Sequence, residues 1–134
     1  MQPDQVKLPD FAVRYTAAWC SKDPARVAAF YDPNGSLSIN GGSPGRAAIT
    51  QAAAEFMTAF PDLTVLFDNL IVQKDSIHYH WTLLGTNTGP GGTDHKVRIR
   101  GFESWKLSPN GLILESRGTF DQKEYRRQLA YGIS

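Results

Sequence analysis

His95 to Asp121 reads HKVRIRGFESWKLSPNGLILESRGTFD, and the fold turns on how this stretch pairs with itself. Ser108-Pro109-Asn110-Gly111 is a turn between two runs rich in β-formers, which predicts a β-hairpin. With Leu107 facing Leu112, the expected pairs are Trp105–Leu114, Glu103–Ser116, Gly101–Gly118 and Ile99–Phe120. The opposite face then carries Arg98, Arg100, Lys106, Glu115 and Arg117, as the solvated side of an antiparallel sheet should. Glu103 is left as the single charge on the buried side. A buried, unpaired carboxylate is costly, so it calls for a partner, a proton or a chemical task. A slip of one residue would set Glu103 against Arg117 instead, but would also drive Arg98 and Arg100 inward. Gly101 facing Gly118 fits a bend in the sheet or the close approach of a ligand.

Outward from the hairpin, the chain alternates between two periodicities. Phe11, Tyr15, Ala18 and Trp19 fall at helical spacing after Pro9-Asp10, predicting a helix that ends near Ser21-Lys22. Asp23-Pro24 supplies a cap and a first-turn proline for a short helix through Tyr31. Ser36 to Asn40 alternates like a strand, with Leu37 and Ile39 on one side. Ser43 or a neighbour can cap a third helix over 46–60, whose buried stripe is Ile49, Ala52, Ala53, Phe56 and Phe60. Thr64 to Val72 and Ser76 to Thr86 read as strands. Asp121, with Glu124 three residues on, opens a last helix from Gln122 to about Ala130 as a capping box. Helices followed by a run of strands that pair antiparallel make an α+β domain. The sheet has to curl over the helices to bury both Trp81 and Trp105. Residues 1–134 read as one domain, with 1–8 a flexible lead.

Bulk properties narrow the function. At 134 residues and 41% hydrophobic content the chain suits one packed core. A net charge of +1 without a basic block argues against nucleic-acid and membrane partners. No apolar run approaches the ~20 residues of a membrane helix. Residues 1–10 lack the apolar core of a signal peptide, so the expected location is cytoplasmic. The lone Cys20 is expected to pack on its helix. His78 and His80 share a strand face, but no nearby Cys, Asp or Glu completes a ligand set, so no metal site is expected. Gly89, Gly91 and Gly92 belong to no phosphate-binding fingerprint.

Several short motifs carry a family likeness. Phe60-Pro61-Asp62-Leu63 closing the third helix resembles the SnoaL-like, polyketide cyclase-like group of the nuclear transport factor 2-like and ketosteroid isomerase superfamily. So do Gly45 with Ile49, Trp81 followed by Gly85-Thr86-Asn87-Thr88-Gly89, and Asp121 followed by Gln128-Leu129. The resemblance spans residues 9–132. It implies a cone-shaped α+β roll, a curved antiparallel sheet wrapped around N-terminal helices that encloses an apolar pocket, commonly dimeric through the outer sheet face. The fold does not fix the chemistry.

Position by position, Arg14-Tyr15-Thr16-Ala17-Ala18 resembles the first helix of the ketosteroid isomerases, where a tyrosine donates to a developing oxyanion. Phe102-Glu103-Ser104-Trp105 resembles the strand bearing their second donor, an acid held neutral by its apolar surroundings. Their carboxylate base falls at Ile39 or Asn40, and neither can take a proton from carbon. Cyclases of the group place an acid between Ser116 and Gly118, where this chain has none. Many relatives have histidine at the position of Asn87. Asn40 loosely fits the water-holding asparagine of related epoxide hydrolases. The reading these residues support is a cofactor-free domain that binds a small, apolar, carbonyl-bearing molecule. Glu103 and Tyr15 are the expected donors to its oxygen, and His80 is the candidate base. Trp19, Asn40, Phe56, Phe60, Trp81, Trp105 and Ser116 are the expected contacts. The rival reading is a ligand carrier or dimeric scaffold with an incomplete active site.

Overall fold

The computed structural model describes residues 3–42 and 45–133. Helix α1 (Pro3–Trp19) starts ahead of Pro9 and runs through it, at the loss of one helical hydrogen bond. Its buried stripe is Phe11, Ala12, Tyr15, Ala18 and Trp19. Helix α2 (Pro24–Ala28) is capped as expected, with the Asp23 side chain accepting from the Ala25 N–H. Tyr31 does not close that helix. It opens strand β1 (Tyr31–Ile39), because the preceding Phe30 carbonyl is already taken by the Ile113 N–H at 3.0 Å. Pro33-Asn34-Gly35 sits in an irregularity between Tyr31 and Ser36 rather than ending the strand.

Helix α3 (Ala47–Ala59) buries Ile49, Ala52, Ala53 and Met57. Ser43, its expected cap, lies outside the described residues; Arg46 holds the cap position without a side-chain bond. Strands β2 (Thr64–Val72), β3 (Ile77–Thr86), β4 (Lys96–Leu107) and β5 (Ile113–Phe120) follow, then helix α4 (Gln122–Tyr131). The five-stranded sheet has the order β1-β5-β4-β3-β2. All neighbours are antiparallel except β1 and β5, which run parallel. This corrects the all-antiparallel expectation: side-chain alternation marks a strand but not the direction of its partner.

The β4–β5 hairpin forms, with its register shifted. Glu103 pairs with Gly118, Trp105 with Ser116 and Gly101 with Phe120, each two residues further along β5 than expected. The turn is longer than the four residues read from sequence: Leu107 pairs with Ile113, and Leu114 is left over as a bulge residue between Ile113 and Glu115. A shift of two preserves the faces. Glu103 therefore stays inside, and Arg117 faces out in an ion pair with Glu115 at 2.6 Å.

Helix α4 docks through Gln128. Past the end of β5, the Arg98 backbone has no strand partner on that side. The Gln128 side chain takes that place, accepting from the Arg98 N–H at 2.6 Å and donating to its carbonyl at 3.1 Å. Asp121 caps α4 by accepting from the Glu124 N–H. Glu124 turns forward to Arg127 and Gln128 instead of back to the cap, so only half of the capping box forms. No helix among the described residues is long and apolar enough to cross a membrane.

Candidate functional site

Rows of side chains crossing the helix-facing side of the sheet make the site. One row runs Ile39, Gly118, Glu103, Tyr79 and Leu70, from β1 across to β2. The next runs Phe120, Gly101, Trp81 and Phe67. Gly101 does not face Gly118, and its missing side chain serves Trp81: a Cβ there would lie 2.5 Å from the indole. At Gly118 a Cβ would meet nothing closer than 3.6 Å, so its absence leaves open space beside Glu103. Trp19, ending α1, and Phe56, on α3, close the space from the helix side. The result is a cavity of about 50 Å³ whose other walls include Leu37, Ile39, Val65, Tyr79, Trp81, Leu83 and Phe120. Glu103 is the one ionisable carboxyl in this apolar wall.

Glu103 is 7% exposed and the only acidic or basic residue in the buried class among the described residues. Its Oε1 accepts three hydrogen bonds: from the Tyr15 hydroxyl at 2.9 Å, the Trp105 indole at 2.8 Å and the Ser116 hydroxyl at 2.8 Å. Oε2 makes none among the described residues. Behind Tyr15 stands Tyr31, its hydroxyl 2.9 Å away. Since Tyr15 spends its proton on Glu103, Tyr31 is the donor in that pair. Burial pushes the Glu103 carboxyl above the ordinary glutamate value; the donors Trp105, Ser116 and Tyr15 pull it down without cancelling the effect. Burial, the largest cause, holds Tyr15 and Tyr31 well above the usual tyrosine range, so both stay protonated.

An oxygen receiving three donors is the acceptor of its carboxyl, so when Glu103 is protonated its hydrogen sits on Oε2. Stacking fixes the platform: Tyr79 lies flat on Trp105 at 4.9 Å and on Phe67 at 5.8 Å. The Tyr79 hydroxyl is committed to Thr16 at 2.5 Å, and Thr16 donates onward to the Ala12 carbonyl.

The structure brings the expected residues to three different places. Glu103, Trp19, Phe56 and Trp81 line the cavity. Tyr15, Trp105 and Ser116 sit one layer behind it, bonded to Glu103 rather than facing a ligand. Phe60 is fully buried against Gly85 and Tyr125, away from the cavity. Asn40, at a left-handed φ of 51°, ties the end of β1 to β5: its Oδ1 accepts from the Phe120 N–H, while its Nδ2 is buried without a partner among the described residues. His80 is not at the site. It pairs with Phe102 on the outer sheet face and stacks on that ring at 5.4 Å, so it cannot exchange a proton with a ligand beside Glu103. Alternation with Trp81 already forbids both from facing inward. No group of three or more His, Cys, Asp or Glu side chains among the described residues could hold a metal ion.

Sequence reading missed Tyr31, Tyr79, Phe120 and Gly118. Phe120 and Gly118 share the face of Ser116 by simple alternation and could have been found. Tyr31 was hidden by its assignment to a helix.

The chain matches the model of the SnoaL-like polyketide cyclase family over residues 10–129. No curated protein matches it by sequence. Among solved structures it is similar to a SnoaL-like protein from Jannaschia sp. CCS1, with 14% identity, TM-score 0.80, and 99% of this chain and 98% of that one covered. It is also similar to SalBIII, an epoxide hydrolase/cyclase-like enzyme of pyran ring formation in the polyether salinomycin (19% identity, TM-score 0.75, 92% and 97% covered). A third is a protein with the ketosteroid isomerase-like fold from Catenulispora acidiphila DSM 44928, in complex with trimethylamine (14% identity, TM-score 0.76, 90% and 92% covered). At these identities the structural likeness establishes the fold alone.

Proposed function

Because the chain belongs to the SnoaL-like polyketide cyclase family, we propose that its cavity binds a small, apolar, carbonyl-bearing molecule and polarises the carbonyl oxygen through the neutral Glu103 carboxyl. The observation that carries this reading is the division of labour within one carboxyl: three donors converge on Oε1, Oε2 is unengaged among the described residues, and Glu103 lines an apolar cavity. A donor held in such surroundings strengthens as negative charge builds on the ligand oxygen. Tyr15 acts as a positioning residue, one bond removed from the ligand.

The chemistry is general acid–base catalysis of the isomerase or cyclase type, with Glu103 as the acid. A carboxylate left by donation could retrieve a proton from the same ligand, so one residue can serve both halves of an intramolecular rearrangement. The alternative is a carrier without turnover. It is favoured by one specific observation: no other described residue of the cavity wall can act as a base, and Ile39 or Asn40 holds the position at which the resemblance to ketosteroid isomerases puts the carboxylate. Hydrogen–deuterium exchange at the α-carbon of a bound ketone separates the two. A catalytic cavity accelerates exchange, and Glu103→Gln abolishes the acceleration; a carrier leaves the solution rate unchanged in both.

We also propose that two copies pair through the outer sheet face, where Leu66 and Ile71 are exposed beside an open cleft of about 480 Å³.

A further inference from the structure

Two hollows meet at Phe120. Beneath α4 lies a second space of about 10 Å³, and Phe56, Trp81, Leu83 and Phe120 line both it and the Glu103 cavity. Ile99 and Tyr125 complete the second. Neither hollow holds an aromatic ring as it stands, since a dry cavity that takes up benzene measures roughly 150 Å³. A ring-bearing ligand therefore displaces part of the shared wall. Leu83 is buried; Trp81, Phe56 and Phe120 are half-buried, and of these Trp81 is seated on Gly101. Phe56 is on α3 and lines both hollows from the helix side. Phe120 ends β5 between the hollows, with its ring 6.5 Å from Phe56, 6.1 Å from Trp81 and 5.6 Å from Tyr125.

We propose that Phe120 is the specificity-determining residue of the site, setting the length of ligand that can reach Glu103. With the Phe120 ring in place a ligand has only the Glu103 side, which one ring enters by displacing Phe56. A second fused ring has to occupy the volume of the Phe120 side chain and the hollow beneath Tyr125. This rests on the reading of the Glu103 cavity as the ligand site.

The test is equilibrium dialysis of acetophenone and 2-acetylnaphthalene against the wild-type chain, Phe120→Ala, Phe120→Leu and Glu103→Gln. Phe120→Ala is expected to shift the affinity ratio toward the two-ring ketone by about tenfold or more, in line with the worth of added apolar contact in a fitted pocket. Phe120→Leu shifts it less, and supplies the ratio if the alanine variant does not fold. Glu103→Gln weakens both ketones and leaves their ratio within about twofold. An unmoved ratio in the Phe120 variants, with both ketones still bound, overturns the assignment and leaves the Glu103 reading standing. If neither ketone binds the wild type, or Glu103→Gln changes neither affinity, the cavity reading fails and the inference with it.

Discussion

At the scale of single residues, the protonation of Glu103 has a consequence for stability. Its folded-state pKa is raised by burial, so above about 4.5 the folded chain holds a proton that the unfolded chain has released. The contribution of this group is therefore fully present below about 4.5 and declines as pH rises toward the folded pKa. Urea unfolding of wild type and Glu103→Gln between mildly acidic and neutral pH should show that decline in the wild type and a flatter profile in the variant. Equal slopes would mean that Glu103 is ionised in the fold. Glutamine keeps an oxygen for the three donors and an N–H for the cavity, so the variant should fold; Glu103→Leu strands three buried donors, at about 1–3 kcal/mol each. Tyr15→Phe removes one hydrogen bond that lowers the Glu103 pKa, so the pH-dependent decline should extend to higher pH, with a loss of about 1 kcal/mol. Alternation alone made Glu103 and Ser116 legible, and helical spacing exposed Tyr15. Which oxygen each donor reaches depends on angles that no spacing rule carries.

At the scale of elements, the hairpin separates what period-two patterns convey from what they do not. From Ser116 onward the inward set was readable because a shift of two residues leaves each side chain on its face, whereas before the bulge Ile113 is buried and Leu114 exposed, the reverse of the expected pairing. The partners were not readable, since the bulge at Leu114 changes the count and exchanges the faces of Ile113 and Leu114. The parallel pairing of β1 with β5 was likewise hidden, although it is what puts Ile39 beside Gly118. The two hairpin glycines offer a direct check. Gly101→Ala places a methyl 2.5 Å from both the Thr119 carbonyl and the Trp81 ring and should cost more than about 2 kcal/mol by displacing the indole. Gly118→Ala meets only ordinary contacts at 3.6–3.9 Å. It should unfold within about 0.5 kcal/mol of wild type while weakening ketone binding by filling the cavity. Equal stability losses in chemical denaturation would contradict the assigned register.

At the scale of the whole molecule, the sheet has two faces with opposite tasks. The inner face spends its apolar side chains on the cavity and on the helices that roof it. The outer face keeps Leu66 and Ile71 exposed, and between them and the arginines Arg98 and Arg100 lies the open cleft. On that face the His80 Nε2 is buried without a hydrogen-bond partner among the described residues, a cost usually met by water or by a second surface. Pairing through this face would leave Glu103 untouched, because side chains of one strand alternate between the two sides, Trp81 being the residue that lines both the cleft and the cavity. Dimerisation and ligand binding should therefore separate by mutation. Sedimentation of the wild type at micromolar concentration should give the mass of two chains, and Ile71→Lys should raise the dissociation constant by about tenfold or more by burying an unpaired charge at the contact. Ketone affinity should stay within about twofold, since Ile71 points away from Glu103. A wild type that sediments as a single chain near 100 µM, roughly the concentration at which even a weak specific interface would register, would remove the outer face as a contact between copies and leave the cavity as the molecule's one assigned surface.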